Sequence, residues 1–176
     1  AYQKGEYKQA QSQIEIALFP PSSLGADDFE FQSAPRLYYY LGKVLEKSGE
    51  TVKAKEAYEK SIVGWDRLSG DRDSWNSENF YMALSLDRLG RHQPAQRILQ
   101  SMRNFALSQM SRRYRRHRAE ARYLLALVEK EKGNFAEAEK LFKEAVQLEP
   151  EMLGPRFELR RDVVDPLPEQ IRTGAR

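Results

Sequence analysis

A glycine followed five residues later by an alanine recurs four times along this chain. The pairs are Gly5 and Ala10, Gly49 and Ala54, Gly90 and Ala95, and Gly133 and Ala138. Successive glycines therefore lie 44, 41 and 43 residues apart. Recurrence at such intervals indicates a chain of stacked supersecondary units, each burying its apolar face against its neighbours.

The residues around each glycine predict two helices joined by a tight turn. In KVLEKSG and VEKEKG, basic residues precede the glycine and suit the negative end of a helix, which glycine can terminate by adopting positive φ. Apolar residues after the last turn follow the spacing of a half-buried helix: Ala138, Leu141, Phe142, Ala145, Val146 and Leu148. No segment shows the sustained period-2 alternation of a strand. The predicted fold class is all-α.

The segment 119–150, AEARYLLALVEKEKGNFAEAEKLFKEAVQLEP, closely resembles the tetratricopeptide repeat. The residues that carry the resemblance are Leu125, Ala126, Gly133, Phe135, Ala138, Phe142, Ala145 and Pro150. Arg122 departs from the family pattern, because it stands where the motif prefers Trp. The resemblance implies a right-handed superhelical solenoid of helical hairpins that binds other proteins.

Two further segments resemble the same repeat, and a third supplies half of one. The segment 35–63 carries Leu41, Gly42, Leu45, Gly49, Ala54 and Tyr58, with Ser61 at the second small position. The segment 76–103 is a degenerate match and carries Met82, Ala83, Leu86, Gly90, Ala95 and Leu99, with Met102 where the second alanine belongs. Residues 1–19 are predicted to form the second helix of a truncated repeat.

The long intervals between glycines place extra residues between the predicted units. Residues 20–34 and 64–75 are rich in Pro, Gly, Ser and Asp and are predicted as loops. Residues 104–118 contain no helix breaker and are predicted as a basic connection or a helix extension. A capping helix, interrupted at Gly154 and Pro155, is predicted within 151–164. Residues 165–176 are predicted as a flexible tail.

A narrower resemblance suggests a second function. The long units and the phrases LYYYLGKVLEKSGETVKAKEAYEK and FYMALSLDRLGRHQPAQRIL resemble C-terminal helical arrays of large bacterial multidomain proteins with an N-terminal β-rich, sugar-enzyme-like region. The chain begins at Ala1 without an initiator Met, so we expect a piece of something longer. The resemblance implies a non-catalytic helical appendage packed on the catalytic domain of a larger carbohydrate-active-like protein.

The composition excludes several kinds of site. The chain has no Cys, which excludes disulfides, thiolate metal sites and a Cys nucleophile. Its net charge of +3 gives little general attraction to nucleic acid or to an anionic membrane. His92 and His117 lie in separate repeats and are interpreted as solvated surface residues. We therefore predict no enzyme activity, no cofactor, no metal site and no membrane partner.

The resemblance to tetratricopeptide repeats implies a groove lined by the first helix of each repeat. The fifth position of each first helix is aromatic: Tyr39, Phe80 and Tyr123. Their predicted neighbours in the groove are Arg36, Tyr40, Lys43, Tyr81, Leu84, Leu127 and Lys130. Rigid aromatic side chains are favoured interface anchors, so another protein or an upstream domain is the predicted partner. The alternative is that these rings pack between adjacent repeats.

The segment 112–118, RRYRRHR, is the only strongly biased one in the chain. One interpretation is an anionic contact through Arg112, Arg113, Arg115, Arg116 and Arg118. An acidic face of a partner is then favoured over RNA, because stacking aromatics are sparse around the run. The other interpretation has the arginines extending into solvent and pairing with neighbours such as Glu120, with Tyr114 packed inward.

The predicted lone helix at the start of the chain lacks its usual cover. Tyr7, Ile14 and Leu18 would pack against a first helix that lies upstream of Ala1. We therefore expect an exposed apolar face that self-associates or packs on upstream sequence.

Overall fold

The computed structural model describes residues 6–18, 34–65 and 75–164, and within these ranges its regular structure is helical. The helices are α1 (Tyr7–Leu18), α2 (Pro35–Lys47), α3 (Thr51–Ser61), α4 (Ser77–Arg88), α5 (His92–Gln109), α6 (Arg115–Glu131), α7 (Phe135–Leu148) and α8 (Leu153–Val164). The prediction of an all-α helical-repeat fold is confirmed. The predicted tail 165–176, and most of the predicted loops 20–34 and 64–75, lie outside the described residues.

The helix pairs α2–α3, α4–α5 and α6–α7 are joined by the same turn, built on a glycine with positive φ. The φ angles are 81° at Gly49, 76° at Gly90 and 83° at Gly133. At the last turn, the Gly133 N–H donates to the Lys130 carbonyl at 3.0 Å and the Asn134 N–H to the Glu129 carbonyl at 2.9 Å. This is the Schellman pattern, which satisfies carbonyls at the helix end. The turns predicted at these glycines are confirmed.

The chain divides into two compact units, residues 1–102 and 103–176, and α5 contributes to both. In the first unit, α2 packs on α1, α3 and α4, and α3 also packs on α4. Gly42 allows the closest approach, because a Cβ there would lie 2.7 Å from Cδ1 and Cζ of the buried Tyr58 ring. Val44 and Leu86 are completely buried in this core.

In the second unit, α6 and α7 form a hairpin and α8 packs against it. Ala126 and Phe142 are completely buried, and the ring centroids of Tyr123 and Phe142 lie 6.1 Å apart. The helix α8 runs without a break through Gly154 and Pro155, so the expected interruption there is corrected. Pro155 lies in the first turn, where a main-chain N–H has no helical acceptor to lose.

The segment 104–118 is divided between two helices and a short connection. Helix α5 extends to Gln109, and α6 begins at Arg115, before the expected start at Ala119. Only residues 110–114 connect them.

The first helix is better covered than expected. Because α1 packs on α2, Leu18 is buried, and Tyr7 and Ile14 are each partly buried. The expectation that Leu18 lacks cover is corrected, and the large apolar side chain that is exposed on α1 is Ile16. Among the described residues, every helix is too short or too polar to span a bilayer.

Candidate protein-binding face

Helices α2 and α4, the first helices of successive repeats, lie side by side and parallel. Near their N-termini, the Arg36 N–H donates to Glu78 Oε2 at 3.0 Å. Near their C-termini, Arg88 Nη1 lies 3.7 Å from Glu46 Oε2. Corresponding ends of the two helices therefore meet, which brings their exposed sides onto one common face.

An aromatic cluster fills the contact between α2 and α4. The Tyr39 and Tyr81 ring centroids are 5.7 Å apart, and those of Tyr40 and Tyr81 are 5.6 Å apart. Phe80 meets Tyr81 edge-on at 5.4 Å, and Tyr39 also lies 6.1 Å from Tyr58 of α3. Such pairs contribute about 0.5–1.5 kcal/mol each beyond the area they bury. The cluster therefore fixes the spacing of the two helices.

The structure buries five of the ten side chains predicted to line the groove: Tyr39, Phe80, Tyr81, Tyr123 and Leu127. The fifth-position aromatics are 6–9% exposed, so they pack between helices, which is the alternative given above. The expectation that they point into an open groove is corrected, because their apolar area is more stable against neighbouring helices than in water. Arg36 is exposed, whereas Tyr40, Lys43 and Leu84 are partly exposed.

In the second unit, α8 covers part of the face of α6 that was predicted to be open. A Cβ at Gly154 would lie 2.5 Å from Cζ of Tyr123. Lys130 Nζ donates to Glu158 Oε2 at 3.2 Å, and the Glu158 side chain is only 4% exposed. This ion pair is the polar anchor of α8 on α6.

Two buried titratable groups mark the packed interior. Burial raises the pKa of the Tyr58 hydroxyl, and the Glu46 carboxylate adds to the rise. The Tyr58 hydroxyl has no hydrogen-bond partner in the part of the chain that the structure describes. In the second unit, the side-chain amide of Asn134 donates to Glu129 Oε2 at 2.6 Å and lowers the pKa of Glu129. Both groups serve packing, since neither lies on an open surface.

The arginines of 112–118 lie on the surface. Arg112, Arg113, Arg115 and Arg116 are exposed, and Arg118 is partly exposed. Tyr114 is 67% exposed and meets the His117 ring edge-on, so the interpretation that Tyr114 packs inward is corrected. The described residues hold no group of three or more His, Cys, Asp or Glu side chains suited to a metal ion.

A cleft of about 610 Å³ between α1, α2 and α3 was not predicted from the sequence. Its lining includes Tyr38, Leu41 and Ile16, with Glu15 and Lys60 among its charged residues. The apolar Ile16 next to the charged Glu15 is the sequence signal that could have indicated it.

Helix pairs closed by the same glycine turn, with the first helices α2 and α4 parallel, are characteristic of helical-repeat proteins. Family models described as tetratricopeptide repeat match residues 35–62 and residues 119–152. These two segments are similar to tetratricopeptide repeats, and repeats of this kind support a protein-interaction scaffold in general. No curated protein and no solved structure matches the chain.

Proposed function

We propose that the chain binds another protein through the face shared by α2 and α4. The observation that carries the proposal is the parallel arrangement of these helices, with Arg36, Tyr40, Lys43 and Leu84 accessible above a buried aromatic layer. The buried rings of Tyr39, Phe80 and Tyr81 support that surface from beneath. The predicted groove residues thus divide into contact residues and supporting residues.

The chemistry of the accessible side chains indicates the kind of partner. Tyr40 and Leu84 offer an apolar centre, and Arg36 and Lys43 place positive charge beside it. Interfaces take most of their affinity from such apolar anchors, and flanking charges set orientation and rate of association. A partner segment with an apolar side chain next to acidic ones fits this face.

Photocrosslinking tests the proposal directly. A photoreactive residue at position 84, in cells that naturally contain the protein, should give one discrete set of crosslinked species. The same residue at Val52, 72% exposed on α3, is the matched control and should give few. Equal crosslinking at positions 84 and 52 would contradict the proposal that the α2–α4 face is the binding surface.

A helical appendage of a larger carbohydrate-active-like protein is the second candidate function. It is supported by apolar side chains exposed on the first and last helices, namely Ile16 at 58%, Leu153 at 76% and Phe157 at 55%. Hydrogen exchange would compare the isolated chain with the full gene product. Protection of α1 or α8 only in the full product supports the appendage, whereas identical exchange contradicts it.

A further inference from the structure

The connection before α6 and the first turn of that helix carry a high density of positive charge. Positive charge is unfavourable at the N-terminal end of a helix. Residues 110–118 contain five arginines and no acidic residue. Tyr114, the residue before α6, makes no side-chain cap, and the first turn has no acidic residue. Cations at this end oppose the helix dipole. By contrast, α4 begins with an Asn76 capping box and carries Glu78 in its first turn.

The exposed arginines use few of their guanidinium N–H groups in hydrogen bonds within the chain. Arg115 Nε lies 3.8 Å from Glu149 and Arg116 Nε lies 3.9 Å from Glu120, which are ion pairs too long to be hydrogen bonds. The two arginine side chains are 63% and 79% exposed. Arg112 Nε donates to Gln109 Oε1 at 2.8 Å, whereas the Arg113 side chain makes no hydrogen bond or ion pair within the described residues. Guanidinium donors are therefore available on this surface.

Other arginines of the same unit are used quite differently. Arg122 Nε donates to Glu144 at 2.9 Å with a side chain only 21% exposed. Arg103 Nε donates to the buried Glu129 at 3.4 Å. Both join neighbouring helices, whereas Arg113, Arg115 and Arg116 join nothing tightly. Helix packing explains Arg122 and Arg103 but not the exposed arginines before α6. Residues that conflict with local preferences, such as cations at a helix N-terminus, are expected at functional surfaces.

We infer that this arginine surface, formed by Arg112, Arg113, Arg115 and Arg116, docks an acidic segment of a partner protein. The planar guanidinium fork pairs with carboxylates through two parallel hydrogen bonds, and bound carboxylates would relieve the charge conflict at the start of α6. Within the chain, Arg115 and Arg116 already approach the carboxylates of Glu149 and Glu120, at 3.8 Å and 3.9 Å, so a carboxylate is an anion that this surface accommodates. The exposed rings here are Tyr114 and His117, and they meet each other edge-on, which disfavours stacking of successive bases.

This inference goes beyond the proposed function, because it uses a different surface in the second unit. The probe is fluorescein-labelled deca-glutamate, with its binding measured by fluorescence anisotropy over a range of salt concentrations. The test variant combines R113E, R115E and R116E, and a second variant carries Gln at the same positions. The control combines K8E, K55E and R97E, an equal charge change at exposed residues of the first unit. Thermal unfolding followed by circular dichroism checks that all variants are folded.

We expect the wild-type chain to bind deca-glutamate with an affinity that falls as salt rises. The Glu variant should bind at least about tenfold more weakly, the Gln variant should be weakened in the same direction, and the control should change much less.

Three results would overturn the inference. Absence of deca-glutamate binding at low salt would remove it, and so would equal weakening of the test and control variants, since net charge alone would then explain binding. Tighter binding of labelled deca-uridylate than of deca-glutamate at the same salt would instead make the surface a nucleic-acid site.

Discussion

The Ser85 hydroxyl donates a 2.7 Å hydrogen bond to the Ser61 hydroxyl, and Ser61 donates in turn to the Pro35 carbonyl at 2.9 Å. All of these groups are buried, so one polar chain joins α4, α3 and α2. Ser61 occupies the position where the tetratricopeptide motif has its second small residue. The repeat therefore uses a small residue that also carries a hydroxyl to fix the helix pair that carries the proposed binding face.

Replacing Ser61 by Ala should lower the free energy of unfolding by about 1–3 kcal/mol, because the buried Ser85 hydroxyl loses its acceptor. The double variant S61A/S85A should cost less than the sum of the two single changes, since it removes both partners. Urea denaturation of the four proteins measures this coupling. Additive losses would show that the two hydroxyls act independently.

Gly42 and Gly133 are required for different physical reasons, and the same substitution separates them. Gly133→Ala places a side chain at positive φ and should cost about 1–2 kcal/mol. Gly42→Ala drives a methyl group into the Tyr58 ring and should cost about 1–3 kcal/mol or more.

Repeating both changes in a Tyr58→Leu background tests the distinction by urea denaturation. The cost of Gly42→Ala should fall once the ring is gone, whereas that of Gly133→Ala should stay the same. A Gly42→Ala cost that is indifferent to the Tyr58 side chain would contradict the steric explanation.

Glu129 should make the unfolding free energy depend on pH in the acid range. The Asn134 amide, followed by Arg103, stabilises the Glu129 carboxylate in the folded state, so its pKa lies below that of the unfolded chain. This contribution is complete above the unfolded pKa of about 4.3 and is lost as pH falls through the lower folded pKa.

Glu129→Gln should therefore lose about 1–3 kcal/mol at neutral pH and show a weaker decline below pH ~4.3 than wild type. Glu139→Gln, at an exposed ion pair with Lys143, is the matched control and should change the profile little. Denaturation curves at several pH values measure both. If the unfolding free energy of the Glu129 variant falls at acid pH as steeply as that of wild type, other carboxylates cause the decline.

Tyr39 and Tyr40 are neighbours in the chain but should respond differently to truncation. Tyr39→Ala removes a buried ring and should lower the free energy of unfolding by about 3–5 kcal/mol. Tyr40→Ala removes a partly exposed ring and should cost only about 1 kcal/mol. Thermal and urea unfolding measure both changes. Equal losses would mean that Tyr40 belongs to the core and not to the surface.

The turns and helix pairs were predictable because local chemistry decides them. A turn that requires positive φ selects glycine whatever packs around it, as at Gly49, Gly90 and Gly133. The direction of the Tyr39 side chain was not predictable, because it depends on the positions of Tyr58 and Tyr81 on other helices.

The start of α8 shows a different reason why a prediction from the sequence was wrong. Gly154 and Pro155 have the composition of a helix break, yet their place in the first turn makes them compatible with a helix. The burial of Tyr123 beneath α8 could not be predicted until that helix was known.

The most direct test of the binding face is to select peptides that bind the chain from a random library and to measure their dissociation constants. The double variant Lys43→Ala with Leu84→Ala alters the α2–α4 face, and Lys55→Ala with Val52→Ala is its control on the exposed side of α3. We predict a loss of affinity of at least about tenfold in the first variant and little change in the second. Peptides that bind the first variant as tightly as wild type, and lose affinity only in the control, would contradict the account.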